Sequence, residues 1–561
     1  MTYRDSTSRR DLLRATASVG AFSLLAGCGS GEGDRGGGSD GEGVSTTFHT
    51  YNPNYDPTQY DMYTLIIDEL EEIGVEVEQK TGPFPETVTQ TLRKHDFQMF
   101  PTAIGASLTR LDPDEFLYDF LHSDNVETSN FSEFSNGDYD QAVTAQQQEF
   151  DEEARRDHVY EAQRIQVEEA PLITFATSST AAAYRSDRFE NPTIVGGLGM
   201  LGFWNHLQIE PVGDASRFRV IKSSDVGNLN PLSGPSLDLW TYALIYDRLM
   251  RYDPETLRPE PWAAESVETV DETTIRATLR NGLTWHDGES LTAEDVKFTY
   301  EYLGEYSPTY GSRMSVFESV ETSGETELTF SLTSPYSPGF GRIFASAPLL
   351  PKHIWSGVPG DVDADTPTDW QNPEPVGSGP FQFESWQRQE ELRLSRFEDY
   401  FEPANVEAVS HITAADASGA IGFLEGGEAD ALGLTTVPPS SIDRLQDAEN
   451  ITVELKETHG PAMLTFQTNR LPGSDPAFRR AVAHLIPREN LVETVLNGYG
   501  TVENGSIITS ANEFWHNPDL PQRRYDPEKA RQILEEAGYS WDDNDNMVYP
   551  DSVTPGTETE N

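Results

Sequence analysis

The sequence predicts a mixed α/β fold spread over two to four domains or lobes, and three observations point there. At 561 residues the chain can bury a large core and exceeds the usual size of one. From Phe48 onward, segments of helical period interleave with segments of strict alternation. A single cysteine removes an internal disulfide framework and any Cys-based zinc or iron–sulfur cluster, so apolar burial must drive folding.

Taken in order, residues 1–27 read as an address. Arg9-Arg10 precede a short, weakly apolar run from Ala15 to Ala26, too short to span a membrane. Two adjacent arginines before such a run resemble a twin-arginine export signal. Leu25-Ala26-Gly27-Cys28 resembles a lipobox, with Cys28 the residue to be lipidated; the alternative is an ordinary core thiol. Residues 28–47, rich in Gly, Ser and Asp, read as a flexible tether. Met62–Ile73 carries apolar residues at helical spacing and stops at Gly74. Val75–Glu78 alternates as a strand, Asp151–Glu169 is a long helix with a charged face, and Pro171–Phe175 is a buried strand. Strands follow at Phe218–Ile221 and Thr274–Leu279, helices at Leu239–Leu249 and Ala293–Leu303. Ser356–Pro375 is a Pro/Asp-rich loop. Leu392–Leu394, Ile412, Val453 and Leu455 mark further strands. Pro476–Leu496 and Pro527–Ala537 are read as helices, and Trp541–Asn561 as a mobile acidic tail. No repeat of 20–50 residues is found.

Charge excludes one class of partner. With 94 Asp+Glu against 39 Lys+Arg, of which only seven are Lys, the net charge is −55 and nucleic acid is not an expected partner. The acids recur along the whole chain. Such a load repels itself at low ionic strength and is screened in molar salt, where the Debye length is roughly 3 Å. The reading is a surface adapted to high salt; the alternatives are an ordinary acidic protein or a cation store.

Motifs for chemistry are weak. Gly197-Leu198-Gly199-Met200-Leu201-Gly202 has dinucleotide-fingerprint spacing, but no following helix is long enough to hold a pyrophosphate, so it reads as a loop. The eleven histidines form no His-Glu-x-x-His, and no Ser-x-x-Lys occurs. No catalytic residue, metal site or cofactor is expected. Asn130, Asn450 and Asn504 begin sequons and are either glycosylated or plain loop asparagines.

Several stretches then speak together. They are Leu229-Asn230-Pro231-Leu232, Tyr246-Asp247-Arg248-Leu249, Trp262-Ala263-Ala264-Glu265-Ser266, Leu279–Gly288 with its Trp285-His286-Asp287-Gly288 turn, and Leu291–Val296. Pro375–Phe381, Leu424–Asp430, Ala477–Val482 and Tyr525–Ala530 continue the series. Together they resemble the peptide/nickel-type, family 5 extracellular solute-binding proteins of ABC importers. The resemblance implies an α/β, two-lobed, periplasmic-binding-protein-like (type II) architecture with the ligand cleft between lobes. It also implies ligand capture without chemistry, in a monomer that hands a peptide-like or other small polar solute to ABC permease subunits. With Cys28, it places the protein on the outer membrane face through a lipid anchor. The competing readings are an extracellular hydrolase of peptides or glycans and an envelope or sensor lipoprotein.

The order of landmarks is rotated. Pieces that resemble the family's last segment, Phe48–Pro53, Leu70–Val77, Asp96–Met99, Leu111–Phe116 and Glu169–Ile173, stand at the front, each once. This resembles a circular permutation, with the old ends joined near Leu207–Phe218. It implies a second lobe of residues 48–175 plus 457–551, a larger first lobe of 176–456, and an acidic tail, 552–561. It also requires residues 44–48 and 549–552 to lie roughly within 20 Å. In peptide-binding members an aspartate precedes the Asp-Pro landmark and holds the ligand's amine; here Thr109 stands at that position, before Asp112-Pro113. An ammonium in a dry cleft needs a countercharge, so the departure favours a neutral or anionic ligand. The resemblance implies ligand contacts from Gly105, Ala106, Ser107, Thr109 and Arg110 on the second lobe, and from Pro235, Ser236, Leu237 and Trp240 on the first. Arg110 is otherwise a surface arginine, and Trp240 otherwise core packing.

Overall fold

The computed structural model describes residues 42–222, 224–233, 239–362, 364–433 and 437–553. The address, Cys28, the three loop residues Pro235, Ser236 and Leu237, and the end of the tail lie outside the described residues.

Two sheets organise the chain. Sheet A has six strands in the order Glu76–Gly82, Ser45–Tyr51, Met99–Ala103, Ala462–Phe466, Leu172–Ser178, Gly500–Gly505. The first three are mutually parallel and the rest pair antiparallel. Apolar cores cover both faces, which explains why its four inner strands are buried runs, whereas the edge strand 76–82 is mostly exposed. One core packs the helices Pro57–Glu72, Pro476–Leu485 and Pro527–Glu536. The other packs Gly137–Gln148 and Glu152–Glu169. Sheet B has seven strands in the order Phe381–Gln387, Glu391–Arg396, Ala408–Thr413, Arg217–Lys222, Ala431–Leu432, Thr180–Arg185, Ile451–Lys456. Its third to fifth strands are parallel. A separate four-stranded antiparallel sheet spans Ala264 to Leu332 and shares a large core with sheet B.

The chain passes between the sheets twice, at Ser179 and through residues 457–461. In sheet A, Ala103 pairs with Ala462 and Ala462 with Ala176, so the carboxyl ends of the three parallel strands lie on the edge where both crossings leave. In sheet B, Thr180 pairs with Lys456, and the parallel strands end at Thr413, Lys222 and Leu432 on that same side. The carboxyl edges of both sheets therefore face the crossings.

Local chemistry sets the elements. Asp56 caps the 57–72 helix by accepting the Gln59 amide at 3.0 Å, and Pro57 occupies the first turn, where no donor is needed. Gly74 ends it at φ +92°, and a Cβ there would lie 2.2 Å from the Asp545 carbonyl, so glycine is required twice over.

Three sequence expectations need correction. The 476–496 helix is broken: it ends at Leu485, and Pro487 precedes short turns at 488–490 and 491–495, because proline removes an interior donor. The 239–249 helix ends at Ile245. The segment after Trp541 is not a mobile tail through Tyr549. Ser540–Trp541 pairs with Met547–Val548, the Val44 amide donates to the Met547 carbonyl at 2.8 Å, and the Tyr549 amide donates to the Glu42 carbonyl at 3.0 Å. The two ends of the described chain are thus hydrogen-bonded neighbours. The Asn130 sequon is also fully buried, its amide donating to the His122 and Phe134 carbonyls.

Candidate functional site

Ligands of open α/β sheets bind outside the carboxyl ends of parallel strands. Here two such edges look at each other across two crossings, and the candidate site is the space between them.

On the sheet A side, the 99–103 strand runs into residues 104–110, where Gly105, Ala106, Ser107, Thr109 and Arg110 are half-buried to exposed. The loop is tied to the second crossing. The Ile104 amide donates to the Pro461 carbonyl at 2.9 Å, and a Cβ on Gly460 would lie 2.6 Å from the Ile104 carbonyl. The Ser107 amide donates to Nε2 of His459 at 3.1 Å. Burial pushes the His459 imidazole down to about 4, so it is neutral and able to accept that hydrogen. The Ser107 and Thr109 hydroxyls are 3.1 Å apart. The Arg110 guanidinium donates to Glu115 Oε1 at 3.1 Å and to the Gly105 carbonyl at 2.5 Å.

The glycine-rich stretch has a packing role. It forms only a 3-10 turn at Gly199–Leu201 and a six-residue helix at Phe203–Gln208. A Cβ on Gly196 would lie 1.7 Å from the Glu457 carbonyl, and one on Gly197, at φ +81°, 2.0 Å from the Ala106 Cβ. Its glycines let the backbone press on the crossing and on the 104–110 loop.

On the sheet B side, Trp240 is half-buried against the larger core, in the Leu239–Ile245 helix. Next in that helix, Thr241 begins a buried polar chain. Its hydroxyl is 2.9 Å from Nδ1 of His411, whose Nε2 is 3.2 Å from Nε2 of His206, and His206 Nδ1 is 2.9 Å from the Gly202 carbonyl. Lys222, the last residue of its strand, is buried, and desolvation pulls its ammonium down to about 7. The same burial, with Lys222 nearby, holds His206 down at about 4 and His411 well below the usual imidazole range.

Sequence reasoning missed His459, Lys222 and the histidine chain, whose partners are distant in sequence. It also missed Tyr55 and Phe84, which follow the 45–51 and 76–82 strands at the same edge. They stack at 4.4 Å and are 52% and 38% exposed, unusually open for large aromatics. Cavities of about 540 and 660 Å³ occur elsewhere, one around Ser233 and Thr368, the other around His49 and Arg470; neither is lined by residues 104–110.

Comparison with known proteins agrees with this geometry. The family described as bacterial extracellular solute-binding proteins, family 5 Middle, matches residues 21–128 and 258–560. The oligopeptide-binding protein AppA of Bacillus subtilis is 28% identical over 320 residues, 55% of this chain and 56% of that protein. The peptide transport periplasmic protein SapA of Salmonella typhimurium is 26% identical over 348 residues, 58% of this chain and 62% of that one. The chain thus spans somewhat more than half the length of these curated relatives. Among solved structures, the periplasmic oligopeptide-binding protein of an oligopeptide ABC transporter from Thermotoga maritima superposes with a TM-score of 0.51. It is 27% identical, over 59% of this chain and 64% of that one.

Proposed function

The chain belongs to family 5 of the bacterial extracellular solute-binding proteins, and from that premise we propose that it is the substrate-binding component of an ABC importer. It captures a small solute between its two lobes and delivers it, without chemistry, to permease subunits. The observation that carries this reading is the pair of carboxyl sheet edges facing one another across two crossings. One lobe is formed by residues 48–178 and 462–551 and the other by 180–456; the first boundary lies at the Ser179 crossing and not at 175, because the strand Leu172–Ser178 belongs wholly to sheet A.

The order of the chain is that of a circular permutation. Support comes from the hydrogen-bonded ends, Glu42–Val44 against Met547–Tyr549. The protein is exported by the twin-arginine route, lipidated at Cys28 and held as a monomer at the outer membrane face, with a surface suited to high salt. Replacing Cys28→Ala should release it into the medium, whereas retention on cells would contradict the anchor.

The ligand is a neutral polar solute. Thr109 supplies no countercharge for an amine, and Arg110 is bonded to Glu115 and to its own loop. A thermal-shift panel tests this. N-acetylated peptides should stabilise the protein at least as well as their free-amine counterparts, by about 2.7 kcal/mol at a hundredfold excess over Kd. A shift confined to free-amine peptides would contradict it.

A further inference from the structure

A third junction joins the lobes, and it starts where the ligand loop ends. Leu111, immediately after Arg110, is fully buried in the core of the larger lobe, although the strand that leads to it, Met99–Ala103, belongs to sheet A. Beyond it, the residues of the Asp-Pro landmark are gathered by arginines. Arg155 donates to both carboxylate oxygens of Asp112, at 3.0 and 2.7 Å. Asp114, fully buried, accepts at Oδ1 from the side-chain amides of Gln146 and Gln147, at 2.6 and 2.8 Å. Those partners are on its own lobe.

The remaining partners come from the other lobe. Arg342, also buried, bonds Asp114 Oδ2 with one guanidinium nitrogen and Asp119 Oδ2 with the other, the latter at 2.6 Å. Tyr336 donates its hydroxyl to Asp114 Oδ2 at 3.2 Å, and the Ser337 amide donates to the Gln147 carbonyl at 2.7 Å. A Cβ on Gly341 would lie 3.2 Å from the Asp112 Cβ, so the two backbones are pressed together beside the ion pairs.

This arrangement is costly unless the lobes stay together. A buried guanidinium and carboxylate are tolerated only while each holds its partner, and separating the lobes would strand both. Both lobes also carry an excess of acid, so their mutual repulsion opposes closure in dilute salt. A cleft hinged at two crossings alone would be free to swing. This one is fastened at a third point, about one helical turn beyond the ligand loop in sequence.

We propose that Arg342 is a latch: a positioning residue that reaches from the larger lobe to Asp114 and Asp119, limits how far the two lobes can swing apart, and fixes the 105–110 loop against the second crossing. The proposal rests on the two-lobed fold and not on the identity of the ligand.

The test is a pair of spin labels on opposite lobes, measured without ligand. They are placed at Glu86→Cys and Ser418→Cys, both exposed, in the full chain carrying Cys28→Ala. The expected result is a single short distance distribution in the otherwise wild-type protein. Arg342→Gln should shift it to longer, broader distances, and Arg342→Lys should remain close to wild type. A purely structural role would lower the melting temperature and leave the distances unchanged; folded Arg342→Gln with the wild-type distribution overturns the proposal. If Arg342→Gln does not fold, Asp119→Asn and Tyr336→Phe carry the test. A longer distance in either supports the latch, and wild-type distances in both overturn it. Because no ligand enters the measurement, failure here leaves the transport reading intact.

Discussion

Glu503 shows how much one buried group can govern. It sits on an edge strand of sheet A, and among the described residues its oxygens accept from Ser510. Burial pushes its carboxyl from 4.5 up to about 7, with Glu457 adding repulsion. Between those values the folded protein keeps a proton that the unfolded chain has lost. The stability contributed by this group is therefore complete below about pH 4.5 and falls as pH rises through 7. Glu503→Gln should match wild type at acid pH and exceed it at pH 8 by up to ~3 kcal/mol, read from denaturant midpoints; equal stability at pH 8 would refute this. His459 has the opposite sign. Its folded value of about 4 lies below the ordinary 6.5, so its contribution is lost as pH falls from 6.5 through 4. His459→Ala should speed amide hydrogen exchange at Ser107 by about fivefold, the worth of one ~1 kcal/mol hydrogen bond; unchanged exchange would detach the histidine from the loop.

At the scale of elements, what was legible in the sequence depended on range. The 152–169 helix, the 217–222 and 274–279 strands and the stop at Gly74 follow from local period and caps, and the structure has them. The break after Leu485 was also written locally, in Pro487, but was masked by apolar spacing that continues to Leu496. The hairpin at 540–548 looks like tail in the sequence because its turn residues outnumber its apolar ones. Asp542 instead accepts from the Asn544 and Asn546 amides and tightens the turn. The 104–110 loop is singled out only through resemblance. Its support from His459 spans 352 residues, which periodicity cannot report. Gly197 is the element-scale test of that support. Gly197→Ala adds strain at positive φ and a 2.0 Å overlap with Ala106, so it should cost about 1–3 kcal/mol of stability and weaken ligand binding. Unaltered stability and binding would show that the glycine-rich stretch does not bear on the loop.

Across the whole molecule, a net charge of −55 is borne by two lobes and their junctions. Lowering the salt from 1 M to about 0.01 M stretches the Debye length from roughly 3 to 30 Å, and the melting temperature should fall steadily with it; a flat profile would remove salt adaptation from the account. The two facing edges and the family membership both support the proposal of a cleft that holds a solute. Native mass spectrometry of the protein purified in high salt tests that claim most directly. The expected result is a small molecule retained on the folded chain, released on denaturation, and absent from Ser107→Trp, whose bulk would fill the loop side of the cleft. Retention of the same mass by Ser107→Trp, or turnover of an added peptide with nothing retained by wild type, would contradict it.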